Sequence, residues 1–273
     1  MIPSPFDYVR PGSLDEALEL LAEHGDEAKL LAGGHSLLPL MKLRMAAPAV
    51  LVDIGRLDQL GGARLDGEDL CIGALTTHHE LATNPLVRSE TPVLAHVASQ
   101  IGDPQVRHRG TIGGSIAHGD AASDLPAVVL ALSGRLELAS SGGKRQVDSG
   151  EFYRGFLETA IEPDELLTEI RVRRAPGGFG FEKLVKRAQD WAIVAAVAVQ
   201  VDGGVGVGLV NMASVPVRAR GVEESVVAGA PLELAAEQAD SSLDPPSDMN
   251  ASADFRRHLA RVLTRRALEK AFA

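Results

Sequence analysis

The chain has 273 residues, 45% of them hydrophobic and only 4% aromatic, long enough for two or three compact units with largely aliphatic cores. Its 27 basic and 37 acidic residues give a formal net charge of −10, which opposes loose binding to nucleic acid or to an anionic membrane, so an anionic ligand needs a local site. One cysteine, Cys71, excludes an intrachain disulfide, a cysteine-rich zinc site and an iron–sulfur cluster held by this chain alone.

The opening residues, Met1 to Tyr8, have neither a basic n-region nor an apolar h-region, and no run reaches the length of a membrane span, so the expected setting is the cytoplasm. Ser13 and Glu16 spell a capping box, followed by Leu14, Ala17, Leu18 and Leu21 at helical spacing until Gly25. Ala28 to Ala32 reads as a strand entering Gly33-Gly34. Ser36 stands where a helix N-cap belongs, and Pro39 fits the first turn. A second apolar strand, Ala49 to Ile54, completes a β-loop-α-β unit, whose default is parallel pairing with the loop at the strand's carboxyl end. Such a junction gathers free backbone N–H groups at one spot and favours an anion, most naturally a phosphate. Taken alone, the same residues fit a plain tight turn equally well.

A subdomain boundary is expected in the glycine-rich stretch near residue 56, and Leu70 to Ala74 is then a strand. Thr77 and Glu80 make a second capping box for a helix ending near Asn84-Pro85. Thr91-Pro92 opens a longer helix with Val93, Leu94, Val97 and Ile101 on one face, stopped by Gly102-Asp103-Pro104. A second glycine loop follows from Thr111, in which Gly113-Gly114-Ser115 repeats the chemistry of the first. Two matched loops suit the two halves of a diphosphate. Ser123 or Asp124 caps a helix from Leu125 to Leu132. The segments 135–139, 144–147 and 165–172 read as strands, the first two as a hairpin, and Ala175 to Gly178 marks the next boundary. Beyond it the pattern predicts strands at 179–186, 193–201 and 205–212, helices near 218–228 and 232–239, and a polar loop over 240–253. The last helix has Phe255, Leu259, Val262, Leu263 and Leu268 on one stripe and arginines opposite.

Several motifs carry bland readings. The run Gly203 to Gly208 nearly spells a dinucleotide fingerprint, but its glycines alternate with Val205, Val207 and Leu209 and no helix follows at once; a strand with a glycine face against close-packed backbone accounts for it. No histidine pair has zinc-protease spacing. Arg107-His108-Arg109 is open to two readings, a solvated charge run or an offset for phosphate charge nearby. Cys71 on its apolar strand reads as packing, and His35 beside Ser36 lacks the context of a nucleophile and its base.

The paired loops with their flanks, Ala32-Gly33-Gly34-His35-Ser36-Leu37-Leu38-Pro39, Thr111-Ile112-Gly113-Gly114-Ser115 and Ser123-Asp124-Leu125-Pro126, together with the opening Ile2-Pro3-Ser4-Pro5-Phe6-Asp7-Tyr8, resemble the FAD-binding (medium) subunits of the molybdenum hydroxylase family, and within it those of aerobic carbon monoxide dehydrogenases. The resemblance covers nearly the whole chain. It implies an α+β protein with an α/β N-terminal part: a vanillyl-alcohol-oxidase-type FAD-binding fold in two subdomains (1–56 and 57–176) and a small C-terminal α+β domain of the carbon monoxide dehydrogenase flavoprotein type (177–273).

The resemblance also implies site residues by position. Ala32, Gly33, Gly34, His35 and Ser36 with Thr111, Ile112, Gly113, Gly114 and Ser115 would hold the FAD pyrophosphate. Asp124 would hydrogen-bond the cofactor's hydroxyls, and Lys29, Ile101 and Gly102 would line the adenine and ribityl path. Near Lys186 relatives place a tyrosine against the isoalloxazine, and here Trp191 stands there, able to stack. The implied function is electron transfer. Substrate is oxidised at a molybdenum–molybdopterin cofactor on a large subunit, electrons cross two [2Fe–2S] clusters on a small subunit, and the FAD of this chain passes them to an acceptor such as a quinone, within a dimer of heterotrimers. Carbon monoxide is the first substrate expected, purines and N-heterocycles the next. The alternatives are a self-sufficient flavin oxidoreductase of the same fold and a non-redox module that binds a phosphorylated ligand.

Overall fold

In the computed structural model, which describes residues 2–273, the first unit comprises β1 (Asp7–Val9), α1 (Leu14–His24), β2 (Ala28–Leu31), α2 (Leu37–Lys42) and β3 (Val50–Asp53). β3 is central and pairs in parallel with both neighbours, so that Leu51 aligns with Tyr8 on one side and Lys29 on the other. A central parallel strand is covered on both faces, and Val50, Leu51 and Val52 are buried in succession. Ser13 caps α1 as expected, but Glu16 reaches past it to accept from the N–H of Gly12. β1 was not foreseen; its three residues carry too little pattern.

Ser36 does not cap α2. It already has helical backbone angles and its side chain makes no capping bond. Gly34, at φ +76°, has turned the chain before Ser36 is reached, leaving the serine inside the turn.

The second unit contains β4 (Ala63–Asp66), β5 (Asp69–Gly73), α3 (His78–Thr83), α4 (Pro85–Glu90), α5 (Pro92–Ser99), α6 (Pro104–Arg107), α7 (Ile112–His118), α8 (Asp124–Ala131), β6 (Arg135–Ser140), β7 (Gly143–Asp148), α9 (Ser149–Phe152), β8 (Tyr153–Gly155), β9 (Glu158–Thr159) and β10 (Leu166–Arg173). Its antiparallel sheet runs β4-β5-β10-β6-β7. Leu70 and Ile72 of β5 point into the core. Cys71, between them, takes the other face, opposite Arg64 and Arg171, and is buried there outside the apolar clusters. Both halves of the Thr77–Glu80 box are present. Asn84 caps the unforeseen α4, its side chain accepting from Leu86 and Val87 N–H. α5 ends at Ser99 rather than running on to Ile101, and Gly102, at φ +49°, closes the turn.

The second glycine stretch is a helix rather than a loop. Thr111 is its N-cap, accepting from Gly114 N–H, and Gly113 and Gly114 lie in the first turn of α7. Gly113 is needed for close approach: a Cβ there would fall 2.6 Å from the Ala74 carbonyl oxygen.

The third unit holds β11 (Phe179–Leu184), β12 (Val194–Val201), β13 (Gly204–Val210), β14 (Val217–Arg218), α10 (Arg220–Val227), α11 (Leu232–Ala236) and α12 (Ala253–Ala271), its antiparallel sheet ordered β11-β12-β13-β14. The alternation read over 203–208 holds. Gly206 and Gly208 lie flat on α8, where Cβ atoms would come within 1.9 Å of the Ala131 oxygen and 2.1 Å of the Ala127 oxygen. Val205, Val207 and Leu209 point the other way, into a core shared with α12. The α12 stripe is rotated from expectation: Phe255 is exposed and Arg256 is buried, donating to the Ile193 carbonyl and to Asp248 Oδ2. The main core unites Leu125, Val128 and Val129 of α8 with Phe181, Val197 and Val199 of the third unit. No described helix is long and apolar enough to cross a membrane.

Candidate functional site

A cleft of about 780 Å³ runs between the units, within the 300–1,000 Å³ common for small-molecule sites. Its lining includes Leu21, Asp26 and Lys29 from α1 to β2, the two glycine segments, and Lys183, Gln189 and Trp191 of the third unit. Backbone contact brings the glycine segments together. A Cβ on Gly33 would lie 2.1 Å from the Arg109 carbonyl oxygen, and one on Gly110 would press on the His78 ring. Arg107 shapes the adjoining wall by donating to the Ile101 and Gly102 carbonyls at 2.9 and 3.0 Å, which is what the Arg107-His108-Arg109 run contributes here.

The two segments differ in what they offer. Among the described residues, the N–H groups of Gly33, Gly34, His35, Ser36 and Leu37 meet no acceptor within the chain. Five consecutive unpaired donors beside a left-handed glycine form a concavity suited to an anion. In the second segment the four donors from Ile112 to Ser115 are used: Ile112 N–H goes to Thr76 O, Gly113 to Ala74 O, Gly114 to the Thr111 hydroxyl and Ser115 to Thr111 O. What α7 presents to the cleft is the small surface of Gly113, Gly114 and Ala117, together with Ser115 and His118. The match expected between the two loops is therefore one of position, with the donor groups concentrated in the first.

Four ionisable side chains of the cleft bear on its electrostatics. Asp124 opens α8 with its side chain 5% exposed; its Oδ2 accepts from Lys183 Nζ at 2.6 Å, and its Oδ1 has no partner. Burial pushes the Asp124 carboxyl upward and the Lys183 ammonium opposes that shift. His78, first residue of α3 and 5% exposed, is pushed down to about 4 by burial, with His35 and Arg107 adding repulsion, so it is a neutral imidazole near pH 7 whose Nδ1 makes no hydrogen bond. Lys29 lines the cleft from β2 without an ion-pair partner among the described residues. Cys71 does not reach the cleft, and burial pushes its thiol up.

Of the residues singled out in the sequence, Lys29, Ala32, Gly33, Gly34, His35, Ser36, Ile101, Gly102, Thr111, Gly113, Gly114, Ser115, Asp124 and Trp191 line this one cleft. Ile112 does not, because its side chain turns into the main core. Lys186 borders a separate small cavity with Asn211 and Arg256. Trp191 reaches both and is 59% exposed. Sequence reasoning missed Lys183 and His78. A signal existed for each: Lys183 continues the inward alternation of Phe179 and Phe181, and His78 shares a helix face with Leu81 and Ala82. It also missed the β8–β9 hairpin, whose Leu157, Glu158 and Thr159 wall the cleft.

Comparison with known proteins gives two family matches that together span most of the chain: "FAD binding domain in molybdopterin dehydrogenase" over residues 4–174 and "CO dehydrogenase flavoprotein C-terminal domain" over residues 179–271. The chain is similar to the carbon monoxide dehydrogenase medium chain of Hydrogenophaga pseudoflava, 39% identical over 100% of this chain and 99% of the relative. It is likewise similar to that of Afipia carboxidovorans, 40% identical over the same shares. The solved carbon monoxide dehydrogenase from Hydrogenophaga pseudoflava that lacks the Mo-pyranopterin moiety superimposes with a TM-score of 0.95 at 40% identity, covering 100% of this chain and 99% of its counterpart.

Proposed function

The chain belongs to the family of FAD-binding domains of molybdopterin dehydrogenases, and on that premise we propose that it is the FAD-carrying electron-transfer subunit of a molybdenum hydroxylase, of the carbon monoxide dehydrogenase kind. The observation that carries the reading is the run of five unpaired N–H groups from Gly33 to Leu37, set in the lining of the cleft. The residues fit the cofactor. The 33–37 donors suit the diphosphate, Lys29 adds charge complementarity, and Asp124 keeps an unpartnered oxygen for a hydroxyl. Gly114 and Ser115 add small surface and a hydroxyl to the same cleft, and the exposed Trp191 supplies an aromatic face.

The chemistry that FAD supplies when bound is the exchange of one or two electrons. The chain's own part is positional: it binds the anion through backbone, lines the rest with aliphatic side chains that exclude water, and keeps His78 neutral beside the glycine segments. No acid–base residue is assigned. Electrons are proposed to arrive from [2Fe–2S] clusters on a small subunit, after oxidation of substrate at a molybdenum–molybdopterin centre on a large one, and to leave for a quinone or a similar acceptor. The proposed assembly is a dimer of such heterotrimers in the cytoplasm. Cys71, the only cysteine and a buried one, leaves cluster ligation to the partners.

The test uses Trp191, the only tryptophan. Titrating FAD into flavin-free protein is expected to quench its emission to an end point of one FAD per chain. No quenching, together with no flavin retained on gel filtration, would refute the reading.

A further inference from the structure

β11 places a charge where its alternation calls for an apolar side chain. Phe179 and Phe181 pack on the main core, and Lys183 follows on the same face, 12% exposed; Glu182 takes the opposite face, which α12 covers, and pairs there with Lys270. A buried ammonium is costly without an anion, and Lys183 finds one in Asp124, across the junction between the third unit and α8. It uses one carboxylate oxygen and leaves Oδ1 without a partner, and both side chains line the cleft.

We propose that Lys183 is a positioning residue for the flavin: it holds Asp124 as an anion with one oxygen free for the ligand, so the third unit takes part in binding a cofactor whose backbone donors lie in the first. This rests on the FAD reading above.

A merely structural ion pair is the competing account, and pH separates the two. On the other elements packed against α8 the ionisable side chains are His96, His118, Glu151 and Arg218, yet Lys183 is the charged group that acts on Asp124. Removing the ammonium leaves burial unopposed, so the carboxyl takes up its proton at higher pH and loses acceptor strength as pH falls.

The experiment measures FAD affinity of the full-length, flavin-free protein between pH 5.5 and 9.5, by quenching of the flavin's own fluorescence, for wild type, Lys183→Met and Lys183→Arg. The expected result for Lys183→Met is binding weaker by about ten-fold or more near pH 6, the scale of one charge-assisted contact, with the deficit shrinking as pH rises. Lys183→Arg is expected to restore a profile parallel to wild type. A Lys183→Met profile that superimposes on wild type, or that lies below it by a constant factor at every pH, overturns the proposal. If Lys183→Met does not fold, the double variant Lys183→Met/Asp124→Asn, which removes both charges, decides. Weak, pH-independent binding by it supports the proposal and wild-type affinity overturns it. Wild type that binds no FAD at all refutes the functional reading itself.

Discussion

His78 makes the protein acid-sensitive as pH falls below neutrality. Its folded-state pKa is about 4, against 6.5 for an unperturbed histidine, because burial penalises the imidazolium and His35 and Arg107 repel it. The native state therefore binds fewer protons than the unfolded chain between these values, and stability must fall as pH drops through them. Linkage puts the loss relative to pH 8 at about 2 kcal/mol at pH 5 and about 3 kcal/mol at pH 4, where it approaches its limit. Asp53, Glu137 and Glu165, whose carboxyls are held low by their partners, contribute losses of their own at lower pH. Asp124, held high by burial, works in the opposite direction. These terms are common to wild type and a His78→Gln variant and cancel in the difference. Equilibrium urea unfolding of the two proteins at half-unit steps from pH 8 to pH 4 should give a constant offset above pH 7. Below about pH 6.5 wild type should lose ground to the variant at up to about 1.4 kcal/mol per pH unit. Parallel curves over the whole range would show that His78 takes up its proton as easily in the folded chain as in the unfolded one, and the reasoning would be wrong.

Four substitutions, one of them a control, test the contacts and caps that build the cleft and its supports. Gly33→Ala sets a methyl against the Arg109 carbonyl and should abolish FAD retention while lowering stability by about 1–3 kcal/mol. Gly62→Ala, at φ +84° in open space, is the control: about 1 kcal/mol of backbone strain and full flavin content, read from absorbance at constant protein. Gly208→Val forces β13 off α8 and should cost about 3 kcal/mol or more, seen as a large fall in melting temperature or loss of soluble protein. Asn84→Ala removes the cap of α4 for about 1 kcal/mol and should leave FAD affinity unchanged, since the cap lies outside the cleft.

Local rules were legible where they compete with nothing. The Thr77–Glu80 box, the alternation of Gly206 and Gly208 with valines, and the parallel β2–α2–β3 unit all follow from spacing, and all are found. Ser36 and the 111–115 segment were not legible in the same way. Whether a serine caps depends on where the preceding glycine has already sent the chain, and whether a glycine pair sits in a loop or a helix depends on what presses against it. Gly113 serves Ala74, a partner distant in sequence, so its helix looked like a loop. The cleft followed the same logic: the residue types were in view, but pairing of the 113–115 donors and non-pairing of the 33–37 donors is a tertiary fact. Lys183 was hidden by its charge, which reads as surface until the strand's inward period is followed through Phe179 and Phe181.

All eight residues of α8 are buried, with glycines of the third unit lying on its carbonyls and helices of the second unit behind it. That makes α8 a shared beam rather than the property of either half. A fragment ending near residue 176 would strip one side of the beam, baring a column of alanine carbonyls and aliphatic side chains and leaving the Asp124 charge without its ammonium. Evolution of such a chain cannot exchange the C-terminal unit freely as a module, because any replacement has to present a side-chain-free strip to the same helix and a cation to its first residue.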